Sequence, residues 1–346
     1  MQICFYRHSL LNRGGDKMVV EYANALQSRG HSVAIMANRV TTLFKLQADI
    51  LRMSNGRSKM HTIVSTLFKK WDYDIIIADI IAMTFLLSIR NKQHVLYFAQ
   101  DYDESYYKNF FMKLFVRALY YYCLTIRKIP VIAVSEDLGK LLSRRFKANV
   151  TVVENGVDDE IYFPDPDREF LDIKGNRKAV LVFSRSDYRK GFDIAVLVLS
   201  ALKREIDSGS LAVWAVGEKI AVPFSMKYFG YVNSPTLRKI LSCSDVLLYP
   251  SRHEGLPLFV LEAMACGCPV VTTEAVHFVR HNKDALQCRI DDIDNLAKQV
   301  KVLLSSDSTR NAIRAEAFRS IKKYDIRLAC SKFESALIQF HHTGHA

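Results

Sequence analysis

The segment Ser251–Thr273, SRHEGLPLFVLEAMACGCPVVTT, places two carboxylates, Glu254 and Glu262, eight positions apart. An ionised carboxylate only accepts hydrogen bonds and can take two at once, so the pair suits a ligand that presents paired hydroxyls. Gly255, Leu256 and Pro257 follow the first carboxylate as a turn. Far upstream, Gly14-Gly15 precedes the run DKMVVEYANALQS. Glycines let backbone amides come close to a phosphate, and a following helix N-terminus adds positive potential. A plain tight turn would use the same two residues. A third stretch, SRSDYRKG, carries Arg185 and Lys190 directly after an apolar run.

The elements that position these residues read as α/β. Asp245–Tyr249 (DVLLY) is a buried parallel strand by its continuous apolar run. Leu258–Cys266 reads as a helix ended by Gly267 and Pro269, and Val270 opens the next strand. Eight residues is close to a whole number of turns, so Glu254 and Glu262 share a side. In open α/β sheets ligands bind at the carboxyl ends of the strands, where Glu254 falls. Strands at Gln2–Tyr6, 31–37, Asp74–Ala78, Val95–Phe98, Val131–Val134 and Val150–Val153, with a helix over Asp16–Ser28, make one Rossmann-like half. The pattern restarts near Lys178 with AVLVFS, a helix over Asp193–Ile206, LAVWAVG, a strand at Lys227–Gly230 and a helix over Ser234–Ser242. Phe163–Asp167 (FPDPD) reads as linker. The expected domains are 1–165 and 166–325.

Composition excludes several classes. The chain has 346 residues, 49% apolar and 24% charged, which suits two globular domains. It holds no apolar run long enough for a transmembrane helix. MQICFYRHSL reads as a first strand, not a signal peptide, because Arg7 and His8 interrupt its apolar run. Seven scattered cysteines, Cys266 and Cys268 among them, read as reduced structural thiols. The net charge of +12 is shared by both halves and suits anionic lipid or a phosphate-bearing acceptor. No nucleic-acid motif accompanies it, so nucleic acid is not expected as a partner. Tyr107–Lys128, YKNFFMKLFVRALYYYCLTIRK, has aromatics and cations and no acid. That is the composition of an interfacial helix, and also of a packed helix with snorkelling cations.

The string EGLPLFVLEAMACGCPVV resembles the Glu-x7-Glu signature of retaining glycosyltransferases with two Rossmann-like domains facing across a cleft (the GT-B fold), in particular the group 1 or family 4 enzymes. The resemblance implies that Glu254 contacts hydroxyls of a donor sugar and Glu262 the ribose of its nucleotide, with Gly255, Leu256 and Pro257 in the donor loop. Arg185 and Lys190 resemble the family's Gly-Arg…Lys-Gly pair, with Ser184 where glycine is usual. They are implied to hold the nucleotide diphosphate and neutralise charge on the leaving phosphate, usually a large catalytic effect. Gly14-Gly15 falls at the family's Gly-Gly loop, and Gly217 and Val232 match loops that cradle base and ribose. Ala133–Leu138 (AVSEDL) and Glu154–Asp158 (ENGVD) match further elements, the latter serving equally as an Asn-Gly turn.

Many members carry a first-domain histidine after the strand equivalent to Val95–Phe98. Here Gln100-Asp101-Tyr102-Asp103-Glu104 stands there, similar to a branch acting on surface polysaccharides. Asp101 is the catalytic candidate, for acceptor binding or proton transfer, while a helix N-terminal charge set would look the same. His8 and His94 read as packed or solvent-exposed histidines, not as catalytic ones. Asp72-Tyr-Asp74 and Asp101-Tyr-Asp103 spell a metal-binding Asp-x-Asp, a pattern of the other common transferase fold. The resemblance implies instead that arginine, lysine and helix ends replace a metal.

The implied protein is a retaining, metal-independent hexosyltransferase without a cofactor. It would use a UDP-, GDP- or dTDP-linked sugar and a saccharide or lipid-linked saccharide acceptor in cell-surface polysaccharide or glycolipid biosynthesis. It would be cytoplasmic, or peripheral on the inner face of the cytoplasmic membrane if Tyr107–Lys128 meets anionic lipid. The tail, 326–346, is implied to return as a helix to the first domain. A nucleotide-sugar epimerase of the same architecture and a degenerate scaffold subunit are the alternatives.

Overall fold

The computed structural model describes residues 1–51, 58–68, 72–91 and 94–344. The chain forms two compact units, Met1–Asn155 with Ile326–Ala346, and Gly156–Asp325.

The first unit runs β1 (Gln2–Tyr6), β2 (Ser9–Leu10), α1 (Gly14–Ser28), β3 (Ser32–Met36), β4 (Arg39–Val40), β5 (Asp49–Leu51), α2 (Lys59–Phe68), β6 (Ile75–Ala78), α3 (Ile81–Asn91), β7 (Val95–Ala99), α4 (Phe110–Tyr120), β8 (Val131–Ala133), α5 (Glu136–Phe146) and β9 (Val150–Val152). Seven strands form a parallel sheet in the order β5-β3-β1-β6-β7-β8-β9. Strand β6 (IIIA) is buried throughout, as a strand covered on both faces must be. The order reverses at β1, between β3 and β6. The C-terminal helix, Ile326–Gly344, belongs to this unit. Its Phe333 stacks on Tyr22 of α1 at 4.1 Å and meets the Phe98 edge at 5.3 Å.

The second unit runs α6 (Arg168–Lys174), β10 (Lys178–Ser184), α7 (Phe192–Ser200), α8 (Lys203–Asp207), β11 (Leu211–Gly217), β12 (Lys227–Tyr228), α9 (Ser234–Cys243), β13 (Val246–Tyr249), α10 (Leu258–Ala265), β14 (Val270–Thr273), β15 (Leu286–Cys288), α11 (Ile293–Ser305) and α12 (Asp307–Ile321). Its parallel sheet is ordered β12-β11-β10-β13-β14-β15, so the order reverses at β10, between β11 and β13. A core of Val180, Val182, Val213, Leu248 and Val271 packs under α7 and α11.

Four local expectations are corrected. Phe163–Asp167 is not a free linker. Asp165 pairs with Arg238 at 2.9 Å and Asp167 with Lys239 at 2.7 Å, both from α9. Gly14 and Gly15 are the first residues of α1, not a turn before it, because the Asp16 carboxylate reaches back to the Arg13 amide at 3.3 Å and starts the helix earlier. The helix over Asp193–Ile206 breaks at Ala201-Leu202, where a tightened turn from Leu202 N to Leu199 O at 3.0 Å ends α7. Tyr107–Lys128 is not one helix. Asn109 caps α4 by accepting from Phe111 N and Met112 N, and Tyr121–Ile126 widens into a π-helical turn.

Candidate donor site at the switch point of the second sheet

Strand β10 delivers Arg185 and Lys190 from its carboxyl end, and β13 delivers Ser251 and Glu254 from the end of the adjacent strand. The two loops therefore meet where the strand order reverses, the place where open α/β sheets bind ligands. Lys190 Nζ donates to Glu254 Oε2 at 2.7 Å, and both side chains are largely buried. The other oxygen, Oε1, accepts from Ser251 Oγ at 2.6 Å and Tyr249 OH at 2.9 Å. Burial first, and then the charge of Glu254, pushes the Tyr249 phenol well above its ordinary value, so it stays a donor. Thus Glu254 is fixed by three protein donors and fixes the lysine in turn.

Backbone contacts join the loops. Ser251 Oγ also lies 2.8 Å from Arg189 O, and Arg252 N donates to the same oxygen at 2.7 Å. Arg252 forks onto Asp193 at 2.7 and 2.8 Å and lies 3.9 Å over the Tyr188 ring. Gly191 has φ +66°, and a Cβ there would stand 1.9 Å from Pro250 O. Only glycine permits this approach of the β10 loop to the β13 loop.

Arg185 is held differently. Its Nε is buried without a hydrogen-bond acceptor among the described residues, and the nearest carboxylate oxygen, Glu218 Oε1, stands 3.8 Å away. Burial would raise the Glu218 carboxyl, but hydrogen bonds from Ser186 and the charge of Arg185 outweigh it and hold it below the usual value. An orphaned buried guanidinium N–H beside a fixed lysine is a donor set that an anionic ligand would complete. Ser184, where glycine is usual, has its Oγ 2.7 Å from Glu218 O and 3.2 Å from Val216 O, tying β10 to the end of β11 and the residue after it. At the end of β11 Gly217 takes φ +123°, and a Cβ would lie 2.3 Å from Ser184 O. Val232 is half-buried between β12 and α9. Gly255, Leu256 and Pro257 lead into α10, on which Glu262 is buried.

The first unit has its own switch point, between β1 and β6. Arg7 follows β1 and binds Asp16 and Asp79, each at 2.8 Å, while its Nη1 donates to Gly15 O at 3.0 Å. Gln100 donates to Asp79 at 3.0 Å and lies over Gly15, where a Cβ would come within 2.8 Å of its oxygen. Burial raises the Asp79 carboxyl in spite of Arg7. Gly14 itself is exposed.

The acidic string divides. Asp103 accepts from Ile81 N at 2.6 Å and so caps α3. Glu104 binds Arg117 at 2.5 and 3.1 Å and Tyr102 OH at 2.5 Å. Those two acids hold helices, whereas Asp101 is half-buried and accepts from Tyr102 N at 2.8 Å. Asp74 accepts from Gln2 N at 2.7 Å and belongs to the sheet. His8 binds Thr62 Oγ1 at 2.9 Å, and His94 Nδ1 lies 3.1 Å from Asp74 O, so both are packed. All seven cysteines are buried as free thiols, and burial pushes Cys288 up to about 11 and Cys123 up to about 12. Among the described residues no group of three or more His, Cys, Asp or Glu side chains is placed to hold a metal.

Sequence reasoning missed Tyr249, Ser251 and Arg7. The available signal was local: a tyrosine closing an aliphatic buried strand, or an arginine directly after one, must find a polar partner.

Comparison with known proteins agrees with this architecture. Residues 12–161 match the model of Glycosyltransferase Family 4, and residues 177–306 that of Glycosyl transferases group 1. An uncharacterised glycosyltransferase of Methanocaldococcus jannaschii is 24% identical over 231 residues, 59% of this chain and 58% of that protein. The O-antigen chain mannosyltransferase B of Escherichia coli is 29% identical over 113 residues, 32% of this chain and 30% of that one. The matched part therefore spans less than two thirds of either relative. An Anabaena protein solved in complex with UDP-glucose superimposes with a TM-score of 0.80 at 16% identity, over 98% of this chain and 100% of that chain.

Proposed function

The chain belongs to the group 1 glycosyltransferases of family 4 and has their GT-B fold, and from that premise we propose that it transfers a hexosyl group, with retention, from a nucleotide sugar to a saccharide or lipid-linked saccharide. The observation that carries the reading is the cation pair of the second unit. Lys190 is pinned by Glu254 at 2.7 Å, and Arg185 carries a buried Nε with no acceptor among the described residues. A leaving nucleoside diphosphate gains negative charge as the glycosidic bond breaks, and two preorganised cations stabilise it without reorganisation.

In this mechanism the acceptor hydroxyl attacks the anomeric carbon on the face from which the diphosphate departs. A diphosphate oxygen takes the hydroxyl proton. No metal and no covalent glycosyl-enzyme take part. Glu254, held by Tyr249 and Ser251, orients Lys190 and faces the sugar hydroxyls, and Glu262 binds the ribose. On the first unit, Asp101 serves the acceptor, and Gly14 and Gly15 are the glycines that the resemblance assigns to donor binding. The Escherichia coli relative named for O-antigen synthesis supports a cell-surface polysaccharide or glycolipid as product, and the Anabaena complex makes a UDP-linked donor the first to test. Action at the inner face of the cytoplasmic membrane completes the reading.

The test is a thermal-shift titration with UDP, GDP, dTDP and their sugar conjugates in chelator, then anomeric analysis of any product by NMR. One nucleotide series should raise the melting temperature, by mass action on the native state. Arg185→Ala should abolish that shift. An inverted product would overturn retention, and no shift with any nucleotide, together with no transfer, would overturn the function.

A further inference from the structure

Helix α4 is apolar on both of its faces. Val116, Leu119 and Tyr120 are buried against the first unit. On the opposite face Phe110 is 71% exposed and Phe111 76%, and Leu114, Phe115 and Tyr121 are exposed beside them. These residues follow the i, i+1, i+4, i+5 spacing of a single helix face. A surface helix normally turns its second face to water with charge, so this one is a face without its cover. The segment 105–128 contains no acid, and Lys108, Lys113 and Lys128 belong to it, with Lys113 half-buried and the other two exposed.

We infer that this face docks on an anionic lipid bilayer, the aromatic rings at headgroup depth and the lysines on lipid phosphates. This inference names the surface behind the membrane-side part of the reading above and rests on that reading. Charge complementarity decides between occupants. A second copy seated by two-fold symmetry would set the same acid-free cationic border against itself. An anionic bilayer neutralises the cations and covers the rings together.

The docked helix is also joined to the acceptor-side string. Arg117 of α4 binds Glu104 at 2.5 Å, and Tyr120 OH accepts from Asp103 N at 2.9 Å. Lipid binding of α4 therefore sets the segment beginning at Asp101 next to the bilayer, where a lipid-linked acceptor presents its sugar. No helix among the described residues is long and apolar enough to cross a membrane, so attachment would run through this face.

The experiment is sedimentation of the full chain with vesicles of phosphatidylcholine alone and with phosphatidylglycerol added. Binding should need the anionic lipid and fall with salt. Reversing Lys108 and Lys113 to Glu should weaken it at least roughly fivefold per cation. Phe110→Ser with Phe111→Ser should abolish it. Phe110, Phe111 and Lys108 are exposed and Lys113 is half-buried, and both variants should keep the wild-type melting temperature and nucleotide shift. Equal binding by the double-serine variant, or none by the wild type, would overturn the inference. So would a concentration-dependent dimer in light scattering that the serine variant loses, because it would assign the face to a second copy. Nucleotide binding, read separately, reports on the catalytic reading.

Discussion

Glu254 binds three protein donors, Lys190, Ser251 and Tyr249, so replacing it releases a cation as well as a ligand contact. Glu254→Gln keeps the size and loses the charge. Turnover should fall by about 10²–10³, the scale seen when one preorganised electrostatic group is removed. Tyr249→Phe leaves the charge and removes one charge-assisted hydrogen bond, worth roughly 1.5–3 kcal/mol. Its loss of kcat should be the smaller of the two, with little change in KM for the donor. Steady-state kinetics on both variants checks the order, and full activity in Glu254→Gln would sink the site. Gly191→Ala tests the backbone that brings the two loops together. With φ +66° and Pro250 O at 1.9 Å from the new Cβ, it adds left-handed strain of about 1–3 kcal/mol and a clash that moves a loop. A lowered melting temperature and a lost nucleotide shift should appear together.

At the scale of elements, the central parallel strands were legible because they are buried on both faces and read as apolar runs. The IIIA of β6 and the VLLY of β13 are examples. The partners of the site residues were not legible. Lys190 meets Glu254 across 64 positions, and Arg7 meets Asp79 from another strand, through a strand order no periodicity encodes. Asp103 and Glu104 show the converse, acids whose types suit chemistry but whose neighbours make them a helix cap and an ion pair. The C-terminal helix has its own polar tie, since Glu334 accepts from Arg29 at 2.7 Å and pairs with His31 at 2.9 Å. Burial would raise the Glu334 carboxyl, but the His31 and Arg29 hydrogen bonds outweigh it and hold it below its ordinary 4.5. A depressed carboxylate stabilises the fold above its unfolded pKa, and the contribution is lost as pH falls through the folded value. Hydrogen exchange over 326–340 should therefore quicken as pH drops below 4.5, beyond the intrinsic trend, and Glu334→Gln should flatten the change.

Across the whole molecule, the two-fold repetition of strand and helix was readable, and the division after Asn155 falls earlier than the Pro-containing stretch suggested, because α9 holds that stretch by ion pairs. The first core is closed by a segment distant in sequence. Phe333 is fully buried between Tyr22, Phe98 and Phe5, so 326–344 acts as part of the first core although it follows the second unit. Phe333→Ala should cost about 3–5 kcal/mol through the cavity left among those rings. A chain ending at Asp325 goes further, exposing Tyr22 and Phe98 together and removing both Glu334 hydrogen bonds. The second unit has its own core, in which Trp214 is buried against Phe170 and Phe229, and it loses none of those contacts. In the shortened chain amide protection should collapse in β1, β3, β6 and β7 and persist in β10, β11, β13 and β14, because cooperative units open separately when their cores are separate. Protection unchanged in the first set would show that the helix is an ornament on a finished domain. Loss in the second set as well would show that the core around Trp214 does not stand alone.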